Sequence, residues 1–406
     1  MELPVPEHVR PIRDKFHDFV RERIIPREQE MYSWWVDGDP GKALMAELRA
    51  QAKAEGMWAI GHPKEVGGGG MPFMDYVYIN EVIGLSEPAV WVFGTGTLQD
   101  SLMLNEFASP EWRDRYLRPL VDGDIIQSFG MTEPGVASSD ATQLQTTAVL
   151  DGDEWVINGR KWFTSLAHYA QYTTVIARTE DDAERPHLAF SAIIVPTDTP
   201  GYNIVRAVPV FGEVDGDHCE VEYDNVRVPA NYLLGARGQG FLLGQKRLGP
   251  GRVFHAMRFL GRAERAYDYM CERAVRRVAF GGPLAEKQLI QQMVFETAAE
   301  IRACRHIALD AAEQMDRGDA ARVEIGMIKV LTARMFHNAV DRAIQVHGGM
   351  GVTGDLPLER FYKEARLGRI WDGPDETHIA TVARLLLEPY RDAADAENGP
   401  GPSVVG

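Results

Sequence analysis

A chain of 406 residues exceeds any single small domain and, at about 100 to 200 residues per folding unit, points to two to four of them. Apolar residues make up 45% and charged residues 25%, enough to fill a large core, which excludes general disorder. The 43 Lys and Arg against 59 Asp and Glu leave a net charge of −16, a surface that repels nucleic acid phosphates and anionic membranes, so an anionic ligand has to be met by a local group of arginines.

Cys219, Cys271 and Cys304 are too few and too scattered for a disulfide framework and form no C-x-x-C pair, which fits a reduced compartment. Glu2, Glu7, Arg10 and Arg13 stand where a signal peptide needs an apolar core, and no later run approaches the ~20 apolar residues of a membrane span. The expectation is a soluble, cytoplasmic protein that binds neither nucleic acid nor membrane.

From Glu7 to about Gln127 apolar residues recur at helical spacing, as in Ala43, Leu44 and Leu48 ahead of Gly56, and predict a helical domain over residues 1–127. Ser109 followed by Pro110 and Glu111 reads as a helix start: Ser caps free N–H groups, Pro is pre-set for the first helical position, and Glu favours the positive end. The run Gly67 to Gly70 lacks the Gly-Lys-Ser/Thr of a phosphate loop and reads as a flexible connector. Near Gln127 the texture changes. Val149-Leu150, Trp155-Val156-Ile157 and Lys161-Trp162-Phe163 predict strands separated by turns at Asp151-Gly152 and Asn158-Gly159, the second being the strongest short hairpin signal. The β-rich segments YTTVIART, AFSAIIVP, YNIVRAVPVF and CEVEYDNVRVP follow, and a compact antiparallel β-barrel domain over residues 128–240 accounts for them.

After Gly240 the helical period returns in long stripes: Val253, Met257, Leu260 and Met270; then Ile290, Val294, Ile301 and Ala308; then Ile325, Ile328, Leu331, Met335 and Val346. Short links such as Gly281-Gly282 and Arg317-Gly318-Asp319 join them, a further helix runs from about Asp375 to Tyr390, and residues 241–390 form a helical bundle. The small, polar end, residues 391–406, reads as a disordered tail. The fold class is α+β, mainly α.

Gly349, Gly351 and Gly354 satisfy the G-x-G-x-x-G spacing but follow a helical stripe instead of a strand, so they are no dinucleotide fingerprint. Gly348-Gly349 offers either a close backbone approach to a ligand or a plain helix cap. No H-E-x-x-H, C-x-x-C, G-x-S-x-G or Walker A run occurs, and no metal is called for. FGMTEPGVASSD, residues 129–140, packs hydroxyls and accessible backbone N–H between a strand and the β domain. The later Trp162-Phe163-Thr164 sets an indole beside a hydroxyl, suited to a planar cofactor or equally to the core of a β domain.

Over about residues 7 to 390 the chain resembles the acyl-CoA dehydrogenases, with motifs in family order: FGMTEPGVASSD, INGRKWFTS, YDNVRVP with GQGF, GPGRVFHAMRFLG, Arg277 to Gly281 with Gln288, QVHGGMG and IWDGPDETH. The resemblance implies a helical N-terminal domain, a β domain, a C-terminal four-helix bundle, and FAD held between the β domain and the bundle. A second subunit often completes such a site, so a homodimer or homotetramer is implied.

Carried over residue by residue, Phe129, Met131, Thr132 and Ser139 resemble flavin and pyrophosphate contacts, and Trp162 and Thr164 the residues beside the isoalloxazine ring. Arg277, Phe280, Gln288, Gln345, Gly348 and Gly349 resemble cross-subunit FAD contacts, and Glu376 joins the cofactor set. Arg252 resembles the arginine near the CoA thioester; Ser139, Trp371 and Gly373 complete the substrate set. The family's usual Tyr-Glu-Gly-Thr is here Trp371-Asp372-Gly373-Pro374, so the implied base is Asp372, as in a long-chain subgroup, while Gly251 stands where some relatives carry a base on a bundle helix.

The implied reaction is α,β-desaturation of an acyl-CoA to the trans-2-enoyl-CoA. Asp372 removes the α-proton while a hydride leaves the β-carbon for the flavin, and electron transfer flavoprotein reoxidises it. The rivals are a flavin oxidase of the same fold, resembling nitroalkane oxidase, and a flavin-free binding or scaffold member.

Overall fold

The computed structural model describes residues 5–36, 38–181, 185–211 and 218–398, which divide into two compact units between Gly251 and Arg252. The first unit opens on helices Arg10–Phe19, Gly41–Ala54, Phe73–Ile83 and Leu98–Phe107. Ser109 caps the next helix as expected, its Oγ accepting from the amide of Trp112 at 3.3 Å with Pro110 in the first turn. Gly67 to Gly70 is no loose connector. The amides of Gly68, Gly69 and Gly70 donate to the carbonyls of Pro63, Ala59 and His62, and a Cβ on Gly68 would meet His62 O at 2.3 Å. Only residues without side chains pack that closely.

The β part of the unit holds β1 (Gln127–Gly130), β2 (Thr147–Asp151), β3 (Glu154–Ser165), β4 (Tyr172–Arg178), β5 (Phe190–Pro196), β6 (Tyr202–Ala207), β7 (His218–Pro229) and β8 (Leu233–Leu234). They form one sheet in the order β6-β7-β3-β2-β4-β5-β8, with β1 on β4. The expected antiparallel barrel is corrected in two respects. β1 and β2 run parallel to β4, so the sheet is mixed, and β6 and β8 do not pair, so it is open. A two-residue β8 offers too short a ladder to close on β6.

Alternation along β4 sends Tyr172 and Ile176 into a core shared with Trp112, Tyr116 and Leu120, and Val175 and Ala177 into a second core with Trp155, Ile157 and Val221. Both faces of the strand are thereby buried.

The hairpin at Asp151-Gly152 forms, with Asp151 paired to Glu154 and Gly152 at φ +67°. The turn expected at Asn158-Gly159 does not, because β3 runs straight through it. The ladder to β7 shifts register between Ile157 and Gly159, and Asn158 Oδ1 accepts the amide of Asn225 at 2.8 Å. A Cβ on Gly159 would meet Thr146 Oγ1 at 2.5 Å. The dipeptide serves a bulge, which wants the same small, permissive residues as a hairpin.

Helix Gly240–Arg276 carries the chain into the second unit, where helices Gln288–Asp316, Arg322–His347, Leu358–Leu367 and Asp375–Asn398 follow. The predicted stripes are buried at Val253, Met257, Leu260, Met270, Ile301, Ala308, Ile328 and Met335, whereas Leu331 is exposed and Ile290 and Val294 are half-buried at the helix surface. Charged clamps join the helices: Arg342 makes a fork on Glu300 at 3.1 and 2.9 Å, and Arg262 meets Glu364 at 2.7 Å. The last helix runs on to Asn398, past the expected stop near Tyr390; Pro389 lies within it, and residues 399–406 of the expected tail fall outside the described residues.

In the first unit, Lys161 on β3 is fully buried and pairs with Glu133 at 2.8 Å, while its Nζ also donates to Met131 O at 2.9 Å. Glu133 accepts the amides of Gln145 and Thr146 at 2.7 and 2.9 Å. Burial pushes the Glu133 carboxyl up, but Lys161 and these amides outweigh it and hold it below the ordinary range. Lys161→Met strands this carboxylate, and the expected loss is about 3 to 5 kcal/mol, read as a lower urea midpoint; adding Glu133→Leu recovers most of it. With a lowered folded value, the glutamate's contribution is present above roughly pH 4.3 and is lost as pH falls through that folded value. An unchanged midpoint in Lys161→Met would mean that the pair holds nothing.

Candidate active site

The residues expected beside a planar cofactor meet in the first unit. β3 carries two residues, Trp162 and Phe163, opposite one on β7, since Lys161 pairs with Val221 and Thr164 with Cys219. This bulge, with Phe163 at φ +50°, takes the Trp162 backbone off the ladder. The freed amide donates to Thr132 O at 3.0 Å, and Thr132 Oγ1 donates back to Trp162 O at 2.7 Å. Phe129, Met131, Thr132 and Trp162 are partly exposed, Ser139 is exposed, and Thr164 is buried with a hydroxyl that has no hydrogen-bond partner.

The loop after β1 supports itself: Ser138 Oγ accepts the Glu133 amide at 2.8 Å, and Asp140 accepts from the Thr142 amide at 3.2 Å. Beneath Phe129 the guanidinium of Arg247 sits 4.7 Å from the ring centroid and forms an ion pair with buried Asp100.

In the second unit, Trp371 to Pro374 turn the chain from helix Leu358–Leu367 into helix Asp375–Asn398. Asp372 and Gly373 take φ +52° and +98°, two left-handed residues in succession. Arg252 holds the turn by donating from Nη2 to Asp372 O at 3.0 Å, and His378 Nε2 lies 3.1 Å from the same oxygen. Burial, with Arg252 second, pushes His378 down to about 4. The neutral ring is therefore the donor to that carbonyl. A Cβ on Gly373 would stand 2.8 Å from His378 Nε2, so no other residue fits this pose.

The Asp372 carboxylate lies 3.5 Å from His255 Nε2. Asp372 and His255 line a cavity of ≈ 10 Å³ together with Arg252, Phe259, Lys329, Thr332 and Trp371. Trp371 lies nearly parallel to Phe259, 6.2 Å between centroids.

Asp372, Arg252, Trp371 and Gly373 thus come together. At the alternative base position, a Cβ on Gly251 would meet Gln99 Oε1 at 2.2 Å in the first unit. The remaining candidates lie on the surface of the second unit. Arg277 precedes a short hairpin, Val278–Ala279 with Gly282–Pro283, whose tip exposes Phe280 at φ +50°. Gln288 begins a helix, Gln345 lies in the last turn of another, Gly348 caps that helix at φ +65°, and Gly349 and Glu376 are exposed. The helix-cap reading of Gly348 is therefore realised.

Glu133 and Lys161 lie within the runs FGMTEPGVASSD and INGRKWFTS, and their signal in the sequence is a charged residue in a β-rich strand and another in the loop beside it. Lys329 lies outside these runs and shares a helix face with Ile325 and Phe336 at spacings of four and seven.

Family models match along the chain: the acyl-CoA dehydrogenase N-terminal domain over residues 6–124, the middle domain over 128–226 and the C-terminal domain over 238–387. The probable acyl-CoA dehydrogenase FadE2 of Mycobacterium tuberculosis is 41% identical over 387 residues, covering 92% of this chain and 94% of that protein. Human acyl-CoA dehydrogenase family member 11 is 39% identical over 391 residues; the match takes in 92% of this chain and 49% of the human protein, about half its length. A solved structure from Mycobacterium abscessus, assigned as an acyl-CoA dehydrogenase, superposes with a TM-score of 0.90 at 34% identity, covering 96% of this chain and 100% of its own. Three consecutive domain models and a full-length relative agree with the order of the motifs, and the chain belongs to the acyl-CoA dehydrogenase family.

Proposed function

We propose that the protein is an FAD-dependent acyl-CoA dehydrogenase that desaturates an acyl-CoA to the trans-2-enoyl-CoA with Asp372 as its base and passes electrons to an electron transfer flavoprotein. The observation that carries this reading is the fixed Asp372 turn, whose backbone oxygen is held by Arg252 and which lines the cavity beside it. The side chains fit the cofactor. Trp162 offers a ring face, Thr164 carries a buried hydroxyl without a partner, and Thr132 is tied to Trp162 so that loop and strand present one surface. Phe129, Met131 and Ser139 continue it.

Bound flavin supplies the hydride acceptor. Asp372 takes the α-proton, and its held backbone fixes the direction from which it does so. Arg252 is already committed to the Asp372 carbonyl, so in this reading its role toward the thioester is to hold the base, with Trp371 and Gly373 shaping the approach. The subgroup reading, a long-chain enzyme with an Asp base, rests on the sequence DGPDETH.

Arg277, Phe280, Gln288, Gln345, Gly348 and Gly349, with Glu376, complete the cofactor site across a homodimer or homotetramer interface. Support comes from apolar side chains open to solvent around them: Phe280 is 95% exposed and Leu289 73%. Surfaces of this kind mark association sites.

The purified protein is expected to be yellow, with about one FAD per chain; a colourless protein that takes up no added FAD would favour the flavin-free scaffold. Arg277→Ala is expected to weaken FAD retention in an oligomer, since charge-assisted bonds to a pyrophosphate are worth ~1.5 to 3 kcal/mol each. A monomer by light scattering that keeps FAD tightly would contradict the shared site. Asp372→Asn is expected to retain FAD and to slow anaerobic flavin bleaching by acyl-CoA ~10² to 10⁴-fold, about 3 to 5.5 kcal/mol of barrier. Bleaching as fast as wild type would place the base elsewhere.

A further inference from the structure

Helix Arg322–His347 turns Ile325, Lys329, Thr332 and Phe336 inward, and all four are buried. Three of them suit that place. Lys329 is 6% exposed, and its Nζ has no hydrogen-bond partner. A buried ammonium left unpaired is costly, so its retention asks for a reason outside packing.

Charged and titratable groups from the neighbouring segments surround it. Arg252 and His255 line the same cavity from helix Gly240–Arg276, Asp372 from the turn, and Asp375, Glu376 and His378 stand at the start of helix Asp375–Asn398. Asp375 Oδ2 accepts from Arg334 at 2.9 Å and from Arg369 at 3.0 Å, while its Oδ1 is buried without a partner, and of the carboxylates it pulls hardest on Lys329, ahead of Asp372. Glu376 is exposed and therefore screened. Thr332 donates its hydroxyl to Ile328 O. Asp372 is the acidic residue that lines the cavity together with Lys329. The cavity that both residues line holds ≈ 10 Å³, about one water in size.

We propose that Lys329 is a positioning residue for the base: its ammonium, bound to no protein oxygen, faces the Asp372 carboxylate across the cavity they share and keeps that carboxylate ready to accept a proton. The inference rests on the reading of Asp372 as the base. Burial pushes the Lys329 ammonium down to about 8, against the pull of Asp375 and Asp372. The side chain therefore carries its charge below that pH, and its effect belongs on the acid side of the pH profile.

The test compares wild type, Lys329→Met, Lys329→Arg and Asp372→Asn as FAD-loaded protein. Anaerobic flavin bleaching by the best acyl-CoA of a panel is followed from pH 5 to 8. With the ammonium gone, the acid limb in Lys329→Met is expected to move up by about one pH unit or more, roughly tenfold slower bleaching below the limb, with the plateau rate kept. Its melting temperature is expected to stay level or rise, because an unpaired buried charge has been replaced by an apolar side chain of similar volume. Lys329→Arg, which restores the charge, is expected to return the limb toward wild type. Lys329→Gln carries the same limb shift if the Met variant does not fold.

An acid limb that does not move in the Met or Gln variant, while Asp372→Asn is slow, overturns the role of Lys329 and leaves the base in place. A uniformly lower rate at every pH with a lower melting temperature also overturns it, since that is the mark of a packing role. Wild-type bleaching in Asp372→Asn is the separate failure of the base itself.

Discussion

A charge taken out of water has to be met inside the protein, and in both units of this chain that requirement fixes the segments bearing the site residues. In the first unit, Lys161 and Glu133 find each other in the interior, and the partners stand one residue before Trp162 and one after Thr132. The loop and the strand are therefore held in register by a contact that neither can abandon without leaving a bare charge. Asp100 and Arg247 repeat the device beneath Phe129. In the second unit, Asp375 draws Arg334 and Arg369 onto the entrance of the last helix, the residue after the Trp371-Asp372-Gly373-Pro374 turn. Lys329 departs from the pattern.

The candidate residues that touch one another in the structure sit close to sequence landmarks within the motifs. Trp162 and Thr132, thirty residues apart, were named together from hydroxyl content and an aromatic strand, and they share two backbone-involving bonds. The helical stripes were equally legible, since burial at spacings of three and four follows from the helix itself.

What the sequence did not reveal has common physical causes. Asn158-Gly159 reads as a hairpin because bulges and tight turns select the same residues, and only the partner strand decides between them. Gly67 to Gly70 reads as loose because glycine supplies both freedom and close approach; the carbonyls of residues 59–63 that fill the space are invisible to local pattern. Barrel and open sheet share one alternation, and the short β8 that leaves this sheet open has no signature in two residues. Buried ion pairs escape because their partners lie far apart in the chain, as Glu133 and Lys161 do.

The left-handed backbone at Asp372 bears on why an aspartate stands there at all. Side chains with φ near +50° are strained, and Asp and Asn enter that region more readily than longer residues because a short polar group can bond locally. With Gly373 locked behind it against His378, the turn has no slack to shift the strain elsewhere. The length of the acid is then a property of the main chain as much as of the substrate. A longer carboxylate at this position would be asked to adopt a backbone that suits it less before its reach came into play, so the acid that this turn can carry is selected by a dihedral angle.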